Sequence, residues 1–262
     1  MPSRGFRDLA LYRIIAGHVV QRNLLAAVRG FSIIPVLDLQ HGKVVRARAG
    51  DRANYQPIAT PLSPTSEAVD VLRGLRSLAP FSTVYVADLD AIAGEGGHGG
   101  VLQALAAAAP EVEFWLDGGF ATAGAARDLP AGATAVFGSE SLASAEELVA
   151  ANRLRQGKLV LSLDYRGGGF MGPVEIERRR EIWPSRVILM TLDRVGTGAG
   201  PDLDALAALV ERAQGRAVFA AGGVRCEDDL ARLQAIGVAG VLVATALHDG
   251  RLPAAAIARF HR

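Results

Sequence analysis

Residues 33–38 read IIPVLD and residues 159–164 read LVLSLD. Each is a short apolar run that stops at an aspartate, Asp38 or Asp164, and enters a loop holding glycine and basic residues. Runs of about four to eight apolar residues with polar punctuation mark strands buried on both faces, as in parallel sheets. The C-terminal ends of such strands are where α/β barrels place their chemistry. A strand-ending aspartate also commonly caps the next helix, so neither residue is decisive alone. It is their pairing in two similar stretches that favours a functional role.

Outward from these stretches, short apolar runs alternate with helical patterns from Phe31 onward, which argues for βα units and a parallel sheet. Eight strands are expected, over 33–38, 83–88, 113–117, 133–138, 159–164, 186–191, 216–221 and 240–244. Helices are expected over 66–78, 100–109, 144–155, 203–214 and 227–236, among others. The strand count predicts a (β/α)8 TIM barrel. A doubly wound open sheet is the competing architecture, disfavoured because no Gly-x-Gly-x-x-Gly turn follows the first strand.

An internal repeat supports closure. Asp88-Leu89-Asp90 returns as Thr191-Leu192-Asp193, and Asp117-Gly118-Gly119-Phe120 returns as Ala221-Gly222-Gly223-Val224. Val136-Phe137-Gly138-Ser139 returns as Leu242-Val243-Ala244-Thr245. Half-barrels are therefore expected over about 31–142 and 158–247 within a barrel domain spanning 31–262. This arrangement sets Asp38 and Asp164 on opposite walls at the C-terminal rim.

Composition narrows the chemistry. The chain has 262 residues, half of them hydrophobic, which suits one large domain. A net charge of +1 gives no reason to expect a nucleic-acid partner. Only Lys43 and Lys158 are lysines, so Schiff-base chemistry has two candidates, and Lys158 opens a strand at the wrong end of the barrel. The lone Cys226 excludes an internal disulfide and a cysteine-based zinc site, and reads as a small residue at a helix start. No apolar run is long enough for a membrane span, so a cytoplasmic protein is expected. Residues 1–30 carry Arg4, Arg7, Arg13, Arg22 and Arg29 among apolar residues at helical spacing, with Asp8 the only acid. They read as a helical extension packed on the barrel, or as the product of an upstream start codon, ahead of a targeting segment.

The repeated glycine pairs suggest anion sites. Glycine lets the backbone approach a ligand closely, and free N–H groups where a helix begins attract anions. Barrels often hold a phosphate in the loops after their last two strands, here Gly222, Gly223, Ala244 and Thr245. The repeat supplies a mirror set, Gly118, Gly119, Gly138 and Ser139. Two such sites across one mouth predict an elongated, bisphosphorylated small-molecule substrate. Between them, Asp38 and Asp164 form an acid–base pair. One can protonate a sugar ring oxygen, while the other takes a proton from the carbon beside the resulting imine. Neither step calls for a metal or a redox cofactor, and the five histidines show no His-Glu-x-x-His spacing. Thr191, Asp193, Arg225 and His41 are accessory candidates. The glycine-dense loops 94–100 and 167–169 lie at the same face and could act as lids or as plain linkers.

From residue 33 to 252 the chain resembles the histidine-biosynthesis barrels, the ProFAR isomerase and its sister cyclase. That isomerase opens with Pro-x-Ile-Asp-Leu-x-x-Gly-x-x-Val-Arg, matched by residues 35–46 (PVLDLQHGKVVR) and followed by Gly50-Asp51. Ala87-Asp88-Leu89-Asp90, Ser162-Leu163-Asp164, Gly222-Gly223-Val224 and Ala246-Leu247 match further motifs of the family. The resemblance implies an Amadori rearrangement of an aminoaldose to an aminoketose, with Asp38 and Asp164 as its acid and base, Asp38 being the base by family precedent. There are departures. Phe120 and Ala121 follow the first glycine pair where the family has Ile-Arg, and an arginine stands instead at Arg225. Val195 replaces an acid, Phe170 lies near where a loop tryptophan is expected, and Ala244 replaces a glycine. The combination is closer to an uncharacterised isomerase/cyclase-related branch found in methanogens and one-carbon-oxidising bacteria. Two alternatives therefore stand beside the isomerase. One is a paralogue acting on another phosphorylated substrate in one-carbon cofactor biosynthesis, of the tetrahydromethanopterin or methanofuran type. The other is a non-catalytic phosphosugar-binding barrel.

Overall fold

The computed structural model describes residues 30–130 and 132–261. Apart from Gly30, the extension expected over 1–30 lies outside the described residues. The described residues form ten strands: β1 (Ser32–Gln40), β2 (Lys43–Val45), β3 (Thr83–Asp88), β4 (Glu113–Asp117), β5 (Ala133–Gly138), β6 (Leu159–Arg166), β7 (Gly169–Phe170), β8 (Arg186–Thr191), β9 (Ala217–Ala221) and β10 (Gly240–Val243). Eight of them pair in parallel in the order β1, β3, β4, β5, β6, β8, β9, β10. β10 then pairs back onto β1, with Ile33 opposite Val241 and Pro35 opposite Val243. The sheet is a closed (β/α)8 barrel, and closure excludes the open doubly wound alternative.

The two remaining strands are short hairpin arms at the C-terminal rim. β2 turns back on β1, placing Val45 opposite Asp38, and β7 turns back on β6, with Phe170 opposite Tyr165. These pairings carry β1 on to Gln40 and β6 on to Arg166, past the aspartates at which the sequence pattern stops them. The expected helices form at Ala68–Arg76, Gly99–Ala108, Ala145–Leu154, Leu203–Arg212 and Glu227–Ala235. Among the described residues between β4 and β5, a single 3-10 turn, Ala123–Ala126, covers the barrel.

Side chains alternate in and out along each strand. Outward residues such as Ile33, Leu37, Val84, Leu161 and Leu189 pack under the helices. Inward residues form a second cluster that fills the barrel, including Ile34, Val136, Val160 and Ile188. Its centre is plugged by Trp115 and Phe219, which meet edge-to-face at 4.9 Å between ring centroids. Edge-to-face packing suits the ring quadrupoles, and this pair forms a solid floor. The inward positions beyond that floor are the ones left to build a site. Among the described residues no helix is long and apolar enough to cross a membrane.

Candidate active site

Alternation selects the residues above the floor. On β1, Val36 and Asp38 follow Ile34 inward; on β4, Asp117 follows Trp115; on β6, Asp164 follows Val160 and Ser162. Three carboxylates thus enter one cavity from three walls, and the cavity encloses about 1070 Å³ including its open mouth. Glu140, from the loop after β5, adds a fourth. Arg52 is drawn over the mouth by the long loop that follows β2, and its Nη2 donates to Glu140 Oε1 at 2.7 Å. The same loop is tied to the far wall, where the Ala49 amide donates to the Val195 carbonyl at 2.8 Å.

The carboxylates sit in different surroundings. Asp164 is only 4% exposed. It accepts from Ser162 Oγ at 2.6 Å, from Ser139 Oγ at 3.2 Å and from the Glu140 amide at 3.1 Å. Burial lifts its pKa to about 7; the Ser162 hydrogen bond opposes this, while the charges of Asp117 and Glu140 add to it. No side chain or amide among the described residues hydrogen-bonds the Asp38 carboxylate. Burial raises it too, to about 7, and the Arg52 guanidinium pulls it back down. Asp117 accepts from the Tyr85 hydroxyl at 2.9 Å and from the Gly119 amide at 3.1 Å. Its pKa is raised to about 6, chiefly by burial. Carboxyl groups poised near neutrality can give or take protons at working pH.

Asp117, Tyr85, Arg52 and Glu140 were not among the candidates drawn from the sequence. Asp117 nevertheless carries the same signal as Asp38 and Asp164, an aspartate ending an apolar strand. Asp88 ends a strand as well, but it is out of phase with inward Ala87. It faces the helix layer instead, accepting from the Ala91 amide at 3.1 Å and contacting His98 Nδ1 at 2.8 Å. Strand parity separates the site aspartates from the capping one.

The second-half glycine loops line the cavity through Gly222, Gly223, Ala244 and Thr245. Gly222 and Gly223 both have positive φ, at 100° and 90°, and a Cβ on Gly222 would come 2.7 Å from the Thr191 carbonyl. No described residue accepts a hydrogen bond from the amides of Gly222, Gly223, Val224 or Thr245. The mirror residues Gly118, Gly119, Gly138 and Ser139 do not line the cavity. Gly138 lies beneath the carboxylates, and Ser139 is fully buried against Asp164.

The structure does not bring the accessory candidates onto the cavity wall. His41 is exposed at the β1–β2 turn, and its amide donates to Asp90 at 2.8 Å. Asp193 accepts from the Gly167 amide. Arg225 is held in a two-pronged pair with Asp229, at 2.9 Å for each prong. Thr191 contributes its carbonyl beneath Gly222. Of the two lysines, Lys43 pairs with Glu67, and neither lines the cavity. Among the described residues no group of three or more His, Cys, Asp or Glu is placed to hold a metal ion.

Fold and site together define a (β/α)8 barrel whose C-terminal mouth is lined by carboxylates and by the second-half glycine loops. The family model for histidine biosynthesis proteins matches residues 32–253, and the chain belongs to that family. It is 25% identical to the uncharacterised protein MJ0703 of Methanocaldococcus jannaschii, over 84% of this chain and 94% of the relative. It is also similar to two proteins named 1-(5-phosphoribosyl)-5-((5-phosphoribosylamino)methylideneamino)imidazole-4-carboxamide isomerase. The one from Pyrobaculum aerophilum is 32% identical over 84% of this chain and 96% of its own length. The one from Rhodospirillum rubrum is 30% identical over 84% and 95%.

Proposed function

We propose that the protein is a phosphosugar isomerase that rearranges an aminoaldose to an aminoketose. The observation carrying this reading is the convergence of Asp38 and Asp164 on one cavity beside unpartnered loop amides, with both carboxyls near pH 7. In the proposed reaction a protonated carboxyl donates to the sugar ring oxygen. The bond from C1 to that oxygen breaks, and the nitrogen lone pair closes a C1=N imine. A carboxylate then takes the C2 proton, and the electrons move toward nitrogen to form an enolamine. Tautomerisation, with protonation at C1, leaves a ketone at C2. No net redox change occurs.

The electrostatics favour particular roles. Arg52 favours the charged form of Asp38, which suits the base. The charges of Asp117 and Glu140 favour the protonated form of Asp164, which suits the acid. The phosphate would sit on the amides of residues 222–224 and 245, where backbone donors and positive-φ glycines form an anion cradle. The reading is tested by turnover of ProFAR with purified protein. Asp38→Asn and Asp164→Asn should each cost roughly 10²–10⁴-fold, the usual size of a lost acid or base.

A paralogue acting on a different phosphorylated substrate is the second reading, favoured by the occupied first-half loop at Phe120. A folded protein with no turnover of ProFAR, yet with phosphate binding, would favour it.

A further inference from the structure

One buried titratable group has no part in the reaction above. His248 ends the short helix Thr245–His248 that follows β10, and it is only 2% exposed. Its Nε2 is buried with no hydrogen-bond partner among the described residues. Buried side-chain polar atoms nearly always have a partner, so an orphan calls for a physical reason. The ring's other nitrogen shows what kind of orphan this is. Thr60 Oγ1 lies 3.3 Å from His248 Nδ1. The Thr60 hydroxyl donates its single proton to the His248 carbonyl at 3.4 Å and accepts from the Leu62 amide at 3.2 Å. Toward the ring it can therefore only accept, which places the imidazole proton on Nδ1. Nε2 is left as a bare acceptor.

His248 lines a small side chamber between β1, β2 and the end of β10, of about 250 Å³ including its open side. Asp38, Arg46 and Thr245 line it too. Asp38 and Thr245 also line the main cavity, so the chamber reaches the site from behind the Asp38 wall. Two acceptors thus share one small space, since the Asp38 carboxylate has no protein donor either. Arg46 is engaged elsewhere: its Nη1 donates to Asp249 at 2.9 Å and its Nη2 to the Ala59 carbonyl at 3.4 Å. A molecule that satisfies two acceptors at once needs two donors. The chamber has room for about one water, which has them.

We propose that His248 is a positioning residue for Asp38: one buried water donates one hydrogen to His248 Nε2 and the other to the Asp38 carboxylate. A donor on the carboxylate favours its charged form, the form a base requires; this use of the pair rests on the isomerase reading above. The charged groups facing His248 are Arg46 and Asp249, with Asp38 on the same chamber. Burial and the Arg46 charge push the His248 pKa down to about 4, against the pull of Asp249. The ring therefore stays neutral near pH 7. It does not take up the proton that Asp38 removes from C2; it goes on accepting from the water, which holds the water's second hydrogen on Asp38.

NMR of the full chain tests this without turnover. Nitrogen-15 spectra of histidine-labelled wild type at pH 7.5 should show His248 neutral, with its proton on Nδ1. A proton on Nε2, or an imidazolium, would overturn the proposal. Carboxyl-carbon titration then reads Asp38. His248→Phe should raise the Asp38 pKa by about one unit, a tenfold shift, while His248→Gln, whose Oε1 can accept in place of Nε2, should keep it within about 0.3 unit. An unmoved Asp38 in His248→Phe, or an equal shift in both variants, would overturn the proposal. Asp38→Ala reads the pair from the other side and does not depend on His248→Phe folding: the His248 Nε2 resonance should move, and an unmoved one would overturn the pairing. An Asp38 shift in a protein that isomerises no aminoaldose would uphold the pairing and remove the reaction. Turnover of ProFAR with Asp38 unmoved would do the reverse.

Discussion

Asp117 Oδ2 and Asp164 Oδ2 approach each other above the bare Cα of Gly138, where a Cβ would lie 3.7 Å from the first and 3.2 Å from the second. Two like charges in one dry space disfavour ionising together. Asp117 is additionally anchored by the Tyr85 hydroxyl and the Gly119 amide, both of which stabilise its charged form. Asp164 is the partner left to hold the proton. Replacing Asp117 with Asn should therefore lower the Asp164 pKa from about 7 toward the ordinary carboxylate range. Carboxyl-carbon NMR titration of aspartate-labelled protein reads this directly; an unmoved Asp164 would remove the coupling. Tyr85→Phe should act in the opposite sense on Asp117, raising its pKa by removing a donor to the anion.

Gly138→Ala tests the same space sterically. The new methyl would press on Asp164 Oδ2 at 3.2 Å, tighter than an ordinary contact. Turnover should fall by roughly 10²-fold, a loss typical of a small misplacement of reacting groups, while thermal stability changes little. Unchanged turnover would show that Asp164 tolerates displacement.

Stability should fall as pH rises. Asp38, Asp117 and Asp164 have folded pKa values of about 7, 6 and 7, above the ordinary aspartate value of 3.8. Each holds its proton more tightly in the folded chain, so its contribution is complete at low pH and is lost as pH rises through the folded value. Between about pH 4 and 7 each shifted group lowers stability by up to ~1.4 kcal/mol per pH unit. Urea denaturation at pH 5 and pH 8 should find these groups less stabilising at pH 8. Asp164→Asn should flatten the dependence and raise stability at pH 8 by ~1–2 kcal/mol, as expected when a strained site group is replaced. A pH-independent difference between wild type and Asp164→Asn would contradict the burial account.

Arg52 is the cation that Asp38 depends on. Arg52→Gln removes the charge that holds the Asp38 pKa down and leaves Glu140 without its 2.7 Å partner. The acid limb of the pH–rate profile should move to higher pH, because less Asp38 is ionised at a given pH. A lower rate with the limb unmoved would make Arg52 a substrate contact alone.

The strands were legible in the sequence because parallel barrel strands are buried on both faces and read as unbroken apolar runs. Residues 83–88, 113–117, 133–138 and 186–191 begin and end where that pattern does. The hairpin arms β2 and β7 were not, since three and two residues leave no periodicity to detect. Asp38 and Asp164 were legible as strand-ending acids. Asp117 carried the same mark but stood beside Gly118 and Gly119, and the glycine pair drew attention to anion binding instead. Arg52 and Glu140 come from loops, where no period links a residue to the site. Nor could the sequence show that Ser139 and Gly119 have their donors turned onto aspartates, because identical Gly-Gly signals stand at both ends of the repeat.

The most direct test of the central claim is conversion of an aminoaldose phosphate in D₂O, followed by NMR. ProFAR would be offered to wild type, Asp38→Asn and Asp164→Asn. The account predicts an aminoketose carrying deuterium at C1 from the wild-type protein, and roughly 10²–10⁴-fold slower conversion by each variant. Conversion at the wild-type rate by both variants would contradict it.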